Sequence, residues 1–366
     1  MKWPLMGETI TWGDRLKMVS FILTAKRFTY GEKVKKFENE WSTWLGAKHS
    51  LFVNSGSSGN TLLLSAVKEL YNLKGGDKVL VPACTWVTNV APVFQLGLTP
   101  IFCDINLQNY SFDLNEAKEI AKKHKDIKVI FTTHLLGFPA NNVELQKIFP
   151  DALIIDDICE SHGCRDDKRN MYGSDSLGAT FSFYFGHHIT TIEGGMICTD
   201  DEKFYQICRA LRSHGMIREM TNESMKNEII NKHPDLNKDF IFLRPSHNFR
   251  STELNAVLGL SQLKKLDSNN QKRIENFNYF ISKLNSNKYI TDFEIEGQCN
   301  YAFTVILKEP VPVDSLNLEL SLKNAGIEFR RGMSGGGNQL RQPYMKKYFK
   351  VNYDDFKTVD HVHNFG

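Results

Sequence analysis

Short β-branched and apolar runs recur between residues 50 and 215, and amphipathic stretches separate them. "SLFVNS", "DKVLVPA", "TPIFCDI", "IKVIFTTH", "ALIIDDI" and "ATFSFYF" each read as a buried strand of a few residues. Helical spacing fills "SSGNTLLLSAVKELYNL", "DLNEAKEIAKKH" and "DDEKFYQICRALRSH". Strand and helix in alternation predict a mainly parallel sheet with helices on both faces, and such sheets carry their sites at the carboxyl ends of the strands. Residues 219–239 are polar and rich in Asn, Lys and Glu, which predicts a surface excursion or mobile flap. Beyond it, "STELNAVLGLSQLKKLDSNNQKRIENFNYFISKL" predicts one long helix with Ser251 as its N-cap and Glu253 in the first turn. "NYAFTVIL" and "GIEFRR" predict strands of a smaller C-terminal unit, and "VDSLNLELSLKNAG" predicts a helix. The expected division is 1–245 for an N-terminal arm and large domain, and 246–366 for the long helix and a smaller domain.

Composition changes this picture little. The 366 residues carry a formal charge of +3, too small to imply nucleic-acid binding. Seven scattered cysteines without paired spacing suit reduced thiols in a cytoplasmic protein. The segment "MKWPLMGETITW" lacks the apolar core of a signal peptide, and no apolar run approaches membrane-spanning length. "HVHNFG" carries no helix stop signal, so the sequence leaves open whether the chain continues past Gly366.

Four places could carry chemistry. In "VNSGSSGNTLLL" a strand gives way to a Ser/Gly turn and a helix; free N–H groups and hydroxyls there form either a phosphate cradle or a plainly capped helix. In "ALIIDDICESHG" two acids close a strand, and a carboxylate there either pairs with a cationic ligand atom or caps the next helix. Cys159, His162 and Cys164 fit no common zinc spacing. Trp86 in "PACTWVTNV" either stacks on a flat ring or belongs to the core. In "FSFYFGHHITTIEGG", His187 and His188 follow a strand; as neighbours in an extended segment they would face opposite ways, which speaks against a shared metal. One of them is a candidate base.

In their order, these stretches with "LRSHG", "HNFRSTELNAVLGL" and "GGGNQLRQPYM" resemble the nucleotide-sugar aminotransferases of the DegT/StrS type over nearly the whole chain. The resemblance implies the aspartate aminotransferase fold (PLP fold type I), with a mainly parallel seven-stranded sheet and a smaller C-terminal α+β domain. It also implies pyridoxal or pyridoxamine 5'-phosphate as cofactor. Six residues before the Glu of "EGG" the family carries the lysine that binds the cofactor covalently; here that position is His187. This departure matches the sugar 3-dehydratase branch, which uses pyridoxamine phosphate. That branch implies removal of the C3 hydroxyl from a nucleotide-linked 4-keto-6-deoxy sugar, as in dideoxysugar synthesis for surface polysaccharide. His187 would serve as base and proton donor. Some members bear an iron–sulfur cluster with a C-x-C pair. None of the seven cysteines forms one, so no cluster and no reductase partner are expected, and L-glutamate would restore the cofactor.

By position, Asp157 would pair with the pyridine nitrogen and Trp86 would cover the ring. Gly56, Ser57 and Ser182 would hold the phosphate, joined by Asn248 from the partner subunit of a homodimer. Glu160 is expected at the ring hydroxyl or the reacting amine, and His214 lies near the site in this family. Arg330 matches an arginine for the glutamate carboxylate, although Arg331 follows where many relatives have Pro. The competing readings are a 4-aminotransferase with an atypical base and a catalytically silent, regulatory cofactor-binding protein.

Overall fold

A computed structural model describes residues 2–333 and 336–366; Gly335, the first residue of "GGGNQLRQPYM", lies outside them. Seven strands form one sheet: β1 (His49–Val53), β2 (Lys78–Pro82), β3 (Thr99–Cys103), β4 (Ile127–Thr133), β5 (Leu153–Asp157), β6 (Ala179–Ser182) and β7 (Gly195–Thr199). Their order is β1-β7-β6-β5-β4-β2-β3. β7 alone runs antiparallel to its neighbours. The helices are α1 (Trp12–Thr24), α2 (Glu32–Leu45), α3 (Gly56–Leu70), α4 (Val87–Gln95), α5 (Leu114–Lys123), α6 (Asn142–Ile148), α7 (Glu202–Arg212), α8 (Glu223–Lys232), α9 (Glu253–Leu263), α10 (Leu266–Lys283), α11 (Pro312–Asn324) and α12 (Lys357–Phe365). None of the described helices is long and apolar enough to cross a membrane.

The β-branched runs bury against both layers. Val53, Val81 and Ile155 pack with Leu62, Leu63 and Leu211 of α3 and α7. Phe181 and Phe183 pack with Phe37 and Trp41 of α2 on another side. Residues past 245 join a third cluster, in which Phe277 of α10 and Val359 and Val362 of α12 meet Ala83, Leu136 and Phe138 from loops after β2 and β4. The C-terminal third therefore packs over the carboxyl ends of the strands.

Three expectations need correction. The long helix is two, broken at Lys264 and Lys265, where the bend lets the Lys265 ammonium reach the buried Asp14 carboxylate at 2.7 Å. The N-cap of α9 is Thr252, whose hydroxyl accepts from Asn255 N, and not Ser251. Glu253 does lie in the first turn of α9, and its carboxylate also caps another helix, accepting from the amides of Gly31, Lys33 and Val34 at the start of α2, a glycine-capped end with no side chain of its own to do so.

The strands expected in "NYAFTVIL" and "GIEFRR" are reduced to isolated bridges, Tyr289 with Leu307 and Trp3 with Ile327. The reason is local competition for backbone partners. Cys299 N and Tyr301 N donate to Gly137 O and Leu136 O, both at 2.9 Å, so this segment pairs with a turn and not with a strand. The excursion at 219–239 contains α8, none of whose residues is buried.

Candidate active site

The carboxyl ends of β1, β6 and β5 lie along one edge of the sheet, with the amino end of β7 between β1 and β6. Val53 pairs with Gly195, Gly195 with Ser182, and Asp157 with Thr180. The chain leaves β1 through Asn54 and Ser55 and enters α3. Ser55 is the N-cap, and its hydroxyl accepts from Ser58 N at 3.1 Å. First-turn amides have no partner inside a helix; with that of Ser58 taken, those of Gly56 and Ser57 remain available to an anion, favoured there by the helix dipole.

Close packing fixes this turn. A Cβ on Gly56 would sit 2.6 Å from Ser182 Cβ and 2.8 Å from Cys159 Sγ, and one on Gly195 would meet the Ser55 carbonyl at 2.6 Å. Ser57 is exposed while Ser182 is buried beneath the turn. The residues therefore fit a phosphate: backbone amides and hydroxyls converge where any larger side chain at 56 would fill the space. Asn54, Ser55, Ser57, Thr88 and Phe249 also line a recess of about 370 Å³ here.

The two acids of β5 separate by the pleat. Asp156 faces inward. Burial pushes its carboxyl up, but His134 at 3.3 Å and the hydroxyls of Ser176 and Thr132 hold it below the usual range. It is a structural acid. Asp157 faces α3, where Asn60 Nδ2 donates to it at 2.7 Å and Cys159 N at 2.9 Å. The Asn60 amide also donates to Thr88 at 3.2 Å, linking Asp157 to the first turn of α4. Trp86, the N-cap of that helix, is 45% exposed, so its indole is no core residue.

His187 and His188 do not lie in an extended segment. Residues 184–189 form a turn, with His187 N donating to Tyr184 O at 3.0 Å and the loop closed by Thr191 N to Phe183 O. Consequently both rings face the same cluster. His162 lies 6.1 Å from His187 and 5.0 Å from His188, and Tyr301 lies 5.3 and 5.8 Å from them. His188 is therefore no outward-facing bystander. Burial, then the guanidinium charges of Arg273 and Arg330, push His187 down to about 3. Burial and the neighbouring charges also hold His162 and His188 well below the usual range. His187 is thus a neutral imidazole at physiological pH, able to accept a proton.

Glu160 lies in the same neighbourhood: its carboxylate accepts from Leu136 N at 3.1 Å, and with burial it pushes the Tyr301 phenol up. Arg330 is within electrostatic reach of both His187 and Tyr301. Arg331 turns elsewhere, to the Asn364 carbonyl at 2.9 Å and Glu319 at 3.5 Å. Asn248 and His214 form a separate exposed group. Ser213 bridges Asn248, His214 N donates to His247 O, and the Asn248 side chain accepts from Arg250. Neither is brought to His187 within this chain. Sequence reasoning missed Asn60, Arg273 and Tyr301. Asn60 had a signal, since it lies one helical turn past Gly56 on the same face of α3. The other two come from distant segments and had none.

A seven-stranded, mainly parallel sheet with a Ser/Gly turn at β1–α3 and an acid at the end of β5 defines an α/β protein of the aspartate aminotransferase type. Residues 11–364 match the model of the DegT/DnrJ/EryC1/StrS aminotransferase family, and the chain belongs to that family. It is 34% identical over 370 residues to GDP-4-keto-6-deoxy-D-mannose 3-dehydratase of Escherichia coli O55:H7, spanning 99% of this chain and 92% of that protein. A solved GDP-4-keto-6-deoxymannose-3-dehydratase variant with bound GDP-perosamine superposes with TM-score 0.88 at 31% identity, over 100% of this chain and 94% of that one. Another, with a trapped PLP-glutamate geminal diamine, gives 0.86 at 30% identity over the same shares.

Proposed function

We propose that this chain is a pyridoxamine-phosphate-dependent dehydratase that removes the C3 hydroxyl of a GDP-linked 4-keto-6-deoxy sugar, with L-glutamate restoring the cofactor. The observation that carries the reading is His187, a buried neutral imidazole at the position where the family has its cofactor-binding lysine. An amine there would bind the cofactor covalently and favour amino-sugar formation, whereas imidazole moves protons without forming a stable imine. When bound, the cofactor supplies an amine that condenses with the sugar ketone and a conjugated ring that takes up electrons.

The chain does the rest. The amides of Gly56 and Ser57, with the hydroxyls of Ser57 and Ser182, hold the phosphate. Asp157 would pair with the pyridine nitrogen and hold it protonated, which lets the ring act as an electron sink. Trp86 would lie over the ring. His187 would be the group that accepts a proton and returns one as the C3 oxygen leaves. Glu160 orients the reacting amine, and Arg330 pairs with the donor carboxylate. The GDP assignment rests on the relatives named above.

We infer a homodimer in which Asn248 of the partner subunit completes the phosphate site. The outward stripe of α1 (Trp12, Leu16, Val19 and Leu23) supports this, since four large apolar side chains lie exposed on one helix face. A cytoplasmic location suits the seven free cysteines. The deciding experiment is incubation of the pyridoxamine-phosphate-loaded protein with GDP-4-keto-6-deoxymannose and glutamate. A product that has lost its C3 oxygen, with ammonia released, is expected. A 4-amino sugar that keeps its C3 hydroxyl would overturn the reading in favour of an aminotransferase.

A further inference from the structure

A histidine that moves protons is commonly oriented by a hydrogen bond through its second ring nitrogen. His187 lacks one: its Nδ1 is buried and has no hydrogen-bond partner among the described residues. Something else must fix the imidazole plane. Two rings lie nearly parallel to it, Tyr301 at 5.3 Å and 26° and His162 at 6.1 Å and 18°. The Tyr301 contact is the shorter, and its backbone is held unusually firmly.

Tyr301 N donates to Leu136 O at 2.9 Å, and its own carbonyl accepts from Arg273 at 3.0 Å. The residue before it, Asn300, has φ +39, and the facing turn carries Leu136 at φ +54 and Gly137 at φ +95. A Cβ at Gly137 would lie 2.5 Å from Asn300 N. The turn is in turn tied to the other side of the site: Leu136 N donates to Glu160 and Gly137 N to Ser161 Oγ. Non-glycine residues at positive φ cost free energy and persist where the surroundings over-determine them. Here they clamp the 299–301 segment, whose Tyr301 ring stacks on His187, against the 135–137 turn.

We infer that Tyr301 is a positioning residue: its ring, stacked on His187 and clamped to the 135–137 turn, sets the imidazole plane in place of a second-nitrogen hydrogen bond. The inference rests on His187 being the base. It assigns the work to the ring and not to the hydroxyl, so Phe suffices at 301 and an aliphatic residue does not. The groups that face His187 are His162, His188, Tyr184, Tyr301, Arg273 and Arg330. Losing the ring admits water among them.

The test compares Tyr301→Phe, Tyr301→Leu and His187→Asn. Tyr301→Phe should keep nearly the wild-type kcat and pH profile. Tyr301→Leu should lower kcat by about tenfold to a hundredfold, as loss of orientation does, with KM for the nucleotide sugar little changed. It should also move the acid limb of kcat/KM up by about one pH unit, as rehydration of the imidazole requires. Independently of turnover, diethyl pyrocarbonate labelling of His187 in the cofactor-free protein, located by peptide mass spectrometry, should speed up in Tyr301→Leu and not in Tyr301→Phe. Should Leu lower the folded yield, Tyr301→Met takes its place. Equal damage from Phe and Leu would overturn the inference, and so would unchanged labelling and pH profile in the Leu variant. If His187→Asn keeps full turnover, it is the underlying assignment of the base that fails.

Discussion

Gly56→Ala tests whether the first turn of α3 is where phosphate binds. The new methyl would lie 2.6 Å from Ser182 Cβ and 2.8 Å from Cys159 Sγ, where carbon contacts ordinarily settle at about 3.5–4.0 Å. Ser182 cannot yield, because it closes β6 and pairs with Gly195 of β7. The turn itself must back away by about 1 Å, at a cost of about 1–3 kcal/mol of overpacking. The amides of Gly56 and Ser57 move with it. A hydrogen bond of about 2.9 Å to a phosphate oxygen stretches past bonding range, and loss of one charge-assisted bond weakens pyridoxamine phosphate binding by roughly tenfold to a hundredfold. Fluorescence titration of the cofactor-free protein measures this, and thermal unfolding measures the packing cost separately. Gly59→Ala is the control, since its Cβ meets Thr180 Cγ2 at a similar 2.6 Å but deeper in the helix. It should lose stability and keep affinity. Wild-type affinity in Gly56→Ala would refute the placement, as would an equal loss in Gly59→Ala.

Asp157→Asn keeps the hydrogen-bonding shape and removes the charge. The cofactor should still bind while kcat falls on the order of 10²-fold to 10³-fold, read by product formation at saturating substrate. Arg330→Leu should raise KM for glutamate and leave KM for the sugar unchanged, whereas Arg331→Leu, whose partners are Asn364 and Glu319, should do neither in the same steady-state assay. His187→Lys should capture pyridoxal phosphate in a borohydride-reducible link, detected as a mass increase that survives denaturation. Acid should destabilise the cofactor-free protein. The His187 value near 3 in the native state lies below the unfolded value of about 6.5, so the unfolded chain binds more protons in that window and stability falls as pH drops through it. At about pH 5.5 the share of His187 is about 1 kcal/mol, and urea unfolding at about pH 7.5 and about pH 5.5 should show a smaller difference in His187→Asn.

What could be read from the sequence was local. The phosphate turn, the strand-end acids and the exposed indole lie within a few residues of recognisable strand ends, and the pleat alone requires Asp156 and Asp157 to face opposite layers. Which of the two faces the site needed Asn60 and His134, one on each side. The break at Lys264 and Lys265 was hidden because no Pro or Gly marks it and its ion-pair partner, Asp14, comes from distant α1. "NYAFTVIL" has the composition of a strand, yet Cys299 and Tyr301 take their backbone partners from Gly137 and Leu136, and no periodicity records a competitor so distant. The same blindness made His187 and His188 look like opposite-facing neighbours, when the turn at 184–189 sends both rings into one cluster.

The site thus has two halves with different origins. The half proposed for phosphate is built from helix geometry and side-chain volume at consecutive residues, so it keeps its form whatever chemistry follows. The base half is built from residues that meet only in the folded chain: His187, Arg273 of α10, Tyr301 and Arg330. Burial and the two guanidinium groups there disfavour a proton on any group at 187, an amine as much as an imidazole. The fold therefore sets the protonation state, and the side chain at 187 sets what a neutral group does with it. On the proposed function, an amine at 187 would bond to the cofactor, and an imidazole would move a proton instead. On that reading one substitution suffices to redirect the reaction, because the surroundings it relies on already favour a neutral base.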